Sequence, residues 1–279
     1  MSERNIDARQ DSMPEQSSKR DSDSSLESSN AASLSTRVLN QGRYEALMML
    51  RNGEQLLLAI ILPLLAMIGL VITPLIDGIA DTRINAVAPG VLALCVVSTA
   101  FTGQGITTGF DRRYGVLRFL ATTPLGKAGL ISGKAIAVLL VVAIQVIILG
   151  SAALLMGWQP FAHGQPLAVT ASAIVFVLLG VAAFTALGLL IAGTVRPEAT
   201  LAITNLAWVL LASVGGLLLP AHHVGGIWGP LLSFLPSAAL GDGLRSAFLD
   251  GQFNVMAAVS LLIWAALATF GASRWFKWD

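Results

Sequence analysis

Residues 110–134, FDRRYGVLRFLATTPLGKAGLISGK, decide how the rest of this chain is read. Five cations fall within them, Arg112, Arg113, Arg118, Lys127 and Lys134, together with Asp111, whereas the twenty or more residues on either side carry no charge. A basic stretch between two long apolar runs is a connection on the cytoplasmic face of a membrane. This one is also long enough to bind something.

Working outward, composition sets the class. Hydrophobic residues make up 55% of the 279 and charged residues only 12%, at a mean hydropathy of +0.74. Soluble domains carry about a quarter charged residues, so these values describe an integral membrane protein. The net charge of +1 gives no reason to expect a nucleic-acid partner. The single cysteine, Cys95, cannot form an internal disulfide and reads as a small core residue within an apolar run.

Residues 1–35 hold eleven serines and no aromatic residue, with acids and bases interspersed. Such a segment cannot bury enough apolar surface to offset its ordering entropy, which predicts a disordered tail. No apolar core of signal-peptide length follows the early charges. Over residues 36–51 apolar positions mix with Arg37, Arg43, Glu45 and Arg51, the pattern of a helix in the membrane interface with arginines toward anionic headgroups.

Six segments are apolar over about the 20 residues that a spanning helix needs: 55–76, 86–108, 135–157, 167–195, 200–219 and 253–273. The fold class expected is therefore an all-α membrane protein, with one six-helix domain over residues 36–279. Pro63, Pro74 and the pair Gly215 and Gly216 are expected kink sites. With an inside N-terminus, the inner connections and C-terminal end hold Arg112, Arg113, Arg118, Lys127, Lys134, Arg196, Arg274 and Lys277, while outer loops hold only Arg83 and Arg245. This asymmetry places both termini in the cytoplasm. The external stretch 220–252 contains two apolar pieces, 227–235 and 238–248, too short to span; they read as a re-entrant hairpin broken at Pro230 and Pro236.

A search for chemistry finds little. Gly126–Lys127 and Gly133–Lys134 lack both the preceding glycine and the following Ser/Thr of a P-loop, so ATP does not bind here by that device. Gly103 and Gly105 fall in a spanning helix and lack a third glycine, which excludes a dinucleotide fingerprint. His222 and His223 are adjacent and cannot share a helix face, which argues against a metal site. Asp242 has no second membrane-embedded aspartate, so the paired carboxylate of an aspartyl protease is missing. Neither do the spans offer the carboxylates, histidines or cations of an ion-coupled carrier. Their clear polar residues are Gln104, Gln145 and Asn205, which suit interhelical hydrogen bonds or a substrate path, and small residues at Ala182/Ala186 and Gly188/Ala192 permit close helix contact. Trp158, Trp228, Trp264, Trp275 and Trp278 suit interface anchoring or packing. A chain that moves a substrate without an ion site draws its energy from another protein.

The basic stretch resembles the cytoplasmic connection of type-2 ABC transporter permeases. The residues that match the family's pattern are Asp111, Arg112, Gly115, Leu117, Leu120, Thr123, Pro124 and Leu125, then Gly133 and Lys134. A second match joins Asn205, Gly215, Gly216 and Pro220 to Leu235, Pro236, Asp242, Gly243, Leu244 and Arg245, like the family's external hairpin. Arg118 stands where many members carry glutamate, so no salt bridge carries over at that position. The resemblance implies a drug, lipid or polysaccharide exporter subunit in the plasma membrane, paired with a second permease copy or paralogue. ATP and Mg would sit on a separate ABC ATPase subunit and no cofactor on this chain. It implies that a helix over 111–120, ended by Pro124, docks on the ATPase through Asp111, Arg112, Arg113, Tyr114, Gly115, Leu117, Arg118 and Leu120. The few polar residues of the spans lean toward an amphipathic or apolar substrate. The competing reading is an ion-coupled carrier or channel, distinguished by flux without an ATPase.

Overall fold

A computed structural model describes residues 33–76, 78–220 and 228–276. Residues 1–32 of the Ser-rich tail, the His222–His223 pair, Lys277 and Trp278 lie outside the described residues; the last three tail positions are not disordered, since Ser33 caps the first helix and Leu34 and Ser35 open it. All secondary structure among the described residues is helical. Helix α1 spans Leu34–Arg51 and α2 Gly53–Ile72, followed by a 3-10 turn at Pro74–Ile76. Next come α3 (Arg83–Val97), a π-helical turn (Ser98–Gly103) and α4 (Gln104–Arg113), which run on as one apolar column of 31 residues. The short α5 (Val116–Ala121) leads to α6 (Gly126–Leu155) and α7 (Pro166–Thr194). Then follow α8 (Pro197–Ser213), α9 (Trp228–Ser233), α10 (Pro236–Leu249) and α11 (Val255–Trp275).

Among the described residues four helices are long and apolar enough to cross a membrane: Arg83–Arg113, Ala128–Leu155, Pro166–Thr194 and Val255–Trp275. They correspond to the second, third, fourth and sixth expected spans. The first corresponds to α2, 20 residues long, and the fifth to α8, of 17 residues. Pro74 and Gly215–Gly216 do not kink a continuing helix; α2 stops at Ile72 and α8 at Ser213, before either is reached. Pro63, by contrast, lies inside α2.

The α3–π–α4 column is the axis of the fold. Every residue of α3 from Ile84 to Val97 is buried, as expected of a helix apolar all round. It packs against α2, α6, α7 and α10, while α4 packs against α7 and α8. Backbone approach at α4 and α7 is too close for side chains. A Cβ on Gly188 would stand 2.7 Å from the Phe101 carbonyl, and one on Gly105 2.9 Å from Thr204 Cγ2. Of the four small residues noted in the sequence, Ala186, Gly188 and Ala192 are buried, whereas Ala182 is exposed.

In the expected external hairpin, Pro230 lies in the first turn of α9 and Pro236 is the first residue of α10, so each opens a helix rather than breaking one. Helix α10 is buried along most of its length. Arg245 on it is held by three acceptors: its guanidinium donates to Leu217 O at 2.8 Å, Gly216 O at 2.5 Å and Asp242 Oδ1 at 2.7 Å. Those carbonyls belong to the unwound chain after α8, so Arg245 satisfies backbone that no helix does. Burial pulls the Arg245 pKa below the usual arginine value, and neighbouring Asp242 opposes that shift.

Candidate functional site

The basic stretch does not fold as one helix over 111–120. Asp111, Arg112 and Arg113 form the last turn of α4, and the chain then turns at Tyr114 and Gly115. Gly115 has φ +76°, left-handed backbone that a residue with a Cβ adopts only at a cost. Helix α5 then lasts six residues and ends before Pro124 is reached. The Thr122 and Thr123 hydroxyls donate to Phe119 O and Leu120 O, satisfying carbonyls at its end.

Three consecutive residues at the end of α4 each tie it to a different element. Asp111 Oδ2 accepts from Lys134 Nζ on α6 at 3.0 Å. Arg112 donates to Ala192 O and Val195 O, at 3.2 and 2.9 Å, and so caps the C-terminal end of α7. Arg113 pairs with Glu198 in the first turn of α8 at 3.2 Å, an exposed contact worth little by itself.

Lys134 is the centre of a buried charge cluster. It is 0% exposed and also donates to Glu45 on α1, with contacts of 3.0 and 3.1 Å to the two carboxylate oxygens. Gln41 Nε2 donates to Glu45 Oε1 at 3.0 Å. A buried cation between two carboxylates joins α1, α4 and α6, and removing one member would leave the others uncompensated.

Leu117, expected on a partner-facing surface, is 0% exposed and packs with Leu125, Leu130 and Phe276, with Val38 and Leu120 against them. The outward face of the turn and α5 is instead Tyr114 at 73% exposure, Val116, Arg118 and Phe119 at 71%. Tyr114 stacks on Phe110 at 6.2 Å between centroids. Helix α1 braces this element from behind, since Arg37 donates to the Pro124 carbonyl and Val38 joins the Leu117 cluster.

The polar residues of the spans divide by role. Gln145 is buried; its Oε1 accepts from Cys95 Sγ at 3.0 Å and Thr99 Oγ1 at 2.8 Å, and its Nε2 donates to Ala59 O at 3.3 Å. It is an interhelical fastener linking α6, α3, the π-turn and α2. Gln104 is buried with Nε2 near Met49 Sδ at 3.5 Å, and its Oε1 has no partner. Asn205 is exposed and lines a cavity of about 330 Å³.

That cavity lies against the π-turn, a local geometry often found at functional sites. Its walls come from α1, α2, the π-turn, α4, α6 and α8, and no charged residue lines it. Ser98, Thr99, Thr102, Asn205 and Trp208 supply its polar groups. The Trp208 indole donates to Ser98 Oγ at 2.7 Å, whereas the Thr102 hydroxyl oxygen is buried without a partner. A second cleft, about 480 Å³, is lined by Glu45, Met48, Met49, Arg51, Asn52 and Thr107. Sequence reasoning missed Met49, Thr102 and Trp208, because an apolar or hydroxyl residue in a span carries no local mark of what it faces.

Among the described residues no cluster of histidine, cysteine, aspartate or glutamate could hold a metal ion. Trp158 packs in the core against Phe248 at 4.9 Å, Trp264 donates to Phe234 O, and Trp275 is exposed.

A bundle of long apolar helices with a charged, fastened turn at one end has the architecture of a multi-pass membrane protein. The ABC-2 type transporter family model matches residues 42–249, about three quarters of the chain, and the protein belongs to that family. No curated protein matches the chain. Membrane subunits of this family work with an ABC ATPase, generally as dimers, and usually have no catalytic site of their own.

Proposed function

We propose that this chain is the permease half of an exporter in the plasma membrane, driven by a separate ATPase subunit and completed by a second permease copy or paralogue. The end of the bundle carrying Asp111 and Arg113 faces the cytoplasm, as do both termini. ATP and Mg bind the ATPase and not this chain. The substrate is amphipathic or apolar, in keeping with a cavity free of charged side chains.

The observation that carries this reading is the outward face of the turn and α5. Two aromatic rings and a guanidinium, Tyr114 on the turn and Phe119 and Arg118 on the short helix, project from an element whose other side is locked into the bundle by Leu117. Exposed aromatics and arginine are the residues that dominate protein interfaces. Neighbours Arg112 and Asp111 then hold the element rigid, so that force on it reaches the spans.

The test is co-purification of the full chain with a co-expressed P-loop ATPase, with Phe119→Asp and Arg118→Glu as interface variants. Both should insert normally and lose ATPase association at least tenfold. Undiminished association in both would remove the docking role. Substrate flux in vesicles that hold an ion gradient and no ATPase would overturn the ATP-driven reading.

A further inference from the structure

Met49 lines both the inner cleft and the mid-bundle cavity. On the cleft side lie polar and charged groups, Glu45, Arg51, Asn52 and Thr107; on the cavity side lie Thr99, Thr102, Asn205 and Trp208. The Met49 side chain is itself buried and touches the Gln104 amide. A flexible thioether at such a junction can change rotamer without breaking a strong bond.

Met49 sits on α1, and α1 is fastened at two other points on the way to it. Arg37 and Val38 contact the α5 element, and Glu45, one turn before Met49, contacts Lys134. The distance along the helix from Arg37 to Met49 is about 18 Å. Lys134 is bonded in turn to Asp111 at the end of α4. Any movement of α5 against the bundle therefore reaches Met49 through a single rigid helix.

We propose that Met49 is a gate between the inner cleft and the cavity, and that Lys134 is the positioning residue that holds the gate shut by fixing α1 through Glu45. An apolar-bodied substrate with one hydrogen-bonding group passes Met49 from the cleft and meets Thr102, whose unpartnered hydroxyl is free to bond it. Its biological meaning rests on the transporter reading above, but its test does not require the ATPase.

The test uses full-length chain in membrane vesicles, in a Cys95→Ala background with Thr102→Cys as reporter. The probe is a membrane-impermeant cationic methanethiosulfonate, applied from the face at which Tyr114→Cys reacts. Met49→Ala should raise the labelling rate of the reporter at least tenfold, and Met49→Trp should lower it by a similar factor. Glu45→Ala, which leaves Lys134 balanced by Asp111, should raise the rate as Met49→Ala does. Lys134→Met should do the same. The melting temperature of each variant in detergent reports whether the fold is intact. Equal reporter rates with Met, Ala and Trp at position 49 would overturn the gate. A rate that responds to position 49 but not to Glu45→Ala would overturn the positioning role. Neither result bears on ATPase association, so failure of the gate and failure of the transporter reading are told apart.

Discussion

Leu117 and Phe119 are two residues apart on one short helix, and the bundle treats them oppositely. Leu117→Asp buries an unpaired carboxylate among Leu125, Leu130 and Phe276 and should cost at least about 3 kcal/mol, read as lower abundance and a lower melting temperature in detergent. Phe119→Asp should leave both unchanged, because that ring is exposed. Lys134→Met strips the neutralising charge from Glu45 and Asp111 and should destabilise by about 3–5 kcal/mol. Adding Glu45→Gln and Asp111→Asn should recover most of that loss, which the same melting experiment checks. At this scale the sequence was only partly legible. Periodicity could place Leu117 on a helix with Leu120, but not say whether that face met a partner or its own core. Arg112 stood out in the sequence as a cation, whereas its acceptors, carbonyls 80 and 83 residues away, did not.

At the scale of elements, two backbone devices set the shape of the site. Gly115 turns α4 into α5 with left-handed backbone, so Gly115→Val should misdirect α5 and cost about 1–2 kcal/mol, seen as weaker ATPase association at nearly normal expression. Gly188 lets α7 lie against the π-turn, and even Gly188→Ala should cost about 1–3 kcal/mol because the obstructing atom is a backbone carbonyl, which thermal denaturation would read. Long apolar helices were legible from length alone. The π-turn was not: STAFTG has the composition of ordinary helix, and its geometry follows from packing against α7 and α8. The expected helix over 111–120 failed for a related reason. Its hydrophobic spacing continues through Gly115, but the helix does not, since three side chains pin α4 in place up to Arg113.

For the whole molecule, the hydropathy pattern was enough to give an all-helical membrane bundle, and the order of two separated motifs was enough to give the family. It was not enough to fix the number of full spans, because α8 stops short at Ser213, where the paired glycines follow. One global property can be checked directly. Helix α6 runs from the basic turn to the loop before α7, so its two ends must lie on opposite faces of the membrane. An impermeant thiol reagent should thus reach Tyr114→Cys from one face and Phe161→Cys, also exposed, only from the other. Labelling of both from the same face would reject the spanning assignment of α6.

The fastened end of α4 also constrains how this protein can change over generations. Asp111, Arg112 and Arg113 point in three directions because each residue rotates a helix by about 100°. One residue gained or lost between the π-turn and Asp111 would turn all three away from Lys134, Val195 and Glu198 at once. A π-turn, holding one residue more per turn than an α-helix, is where such a gain can be absorbed. The stretch Ser98–Gly103 thus works as a phase adjuster, and length variants that keep function should place their insertions or deletions there rather than in the residues that follow.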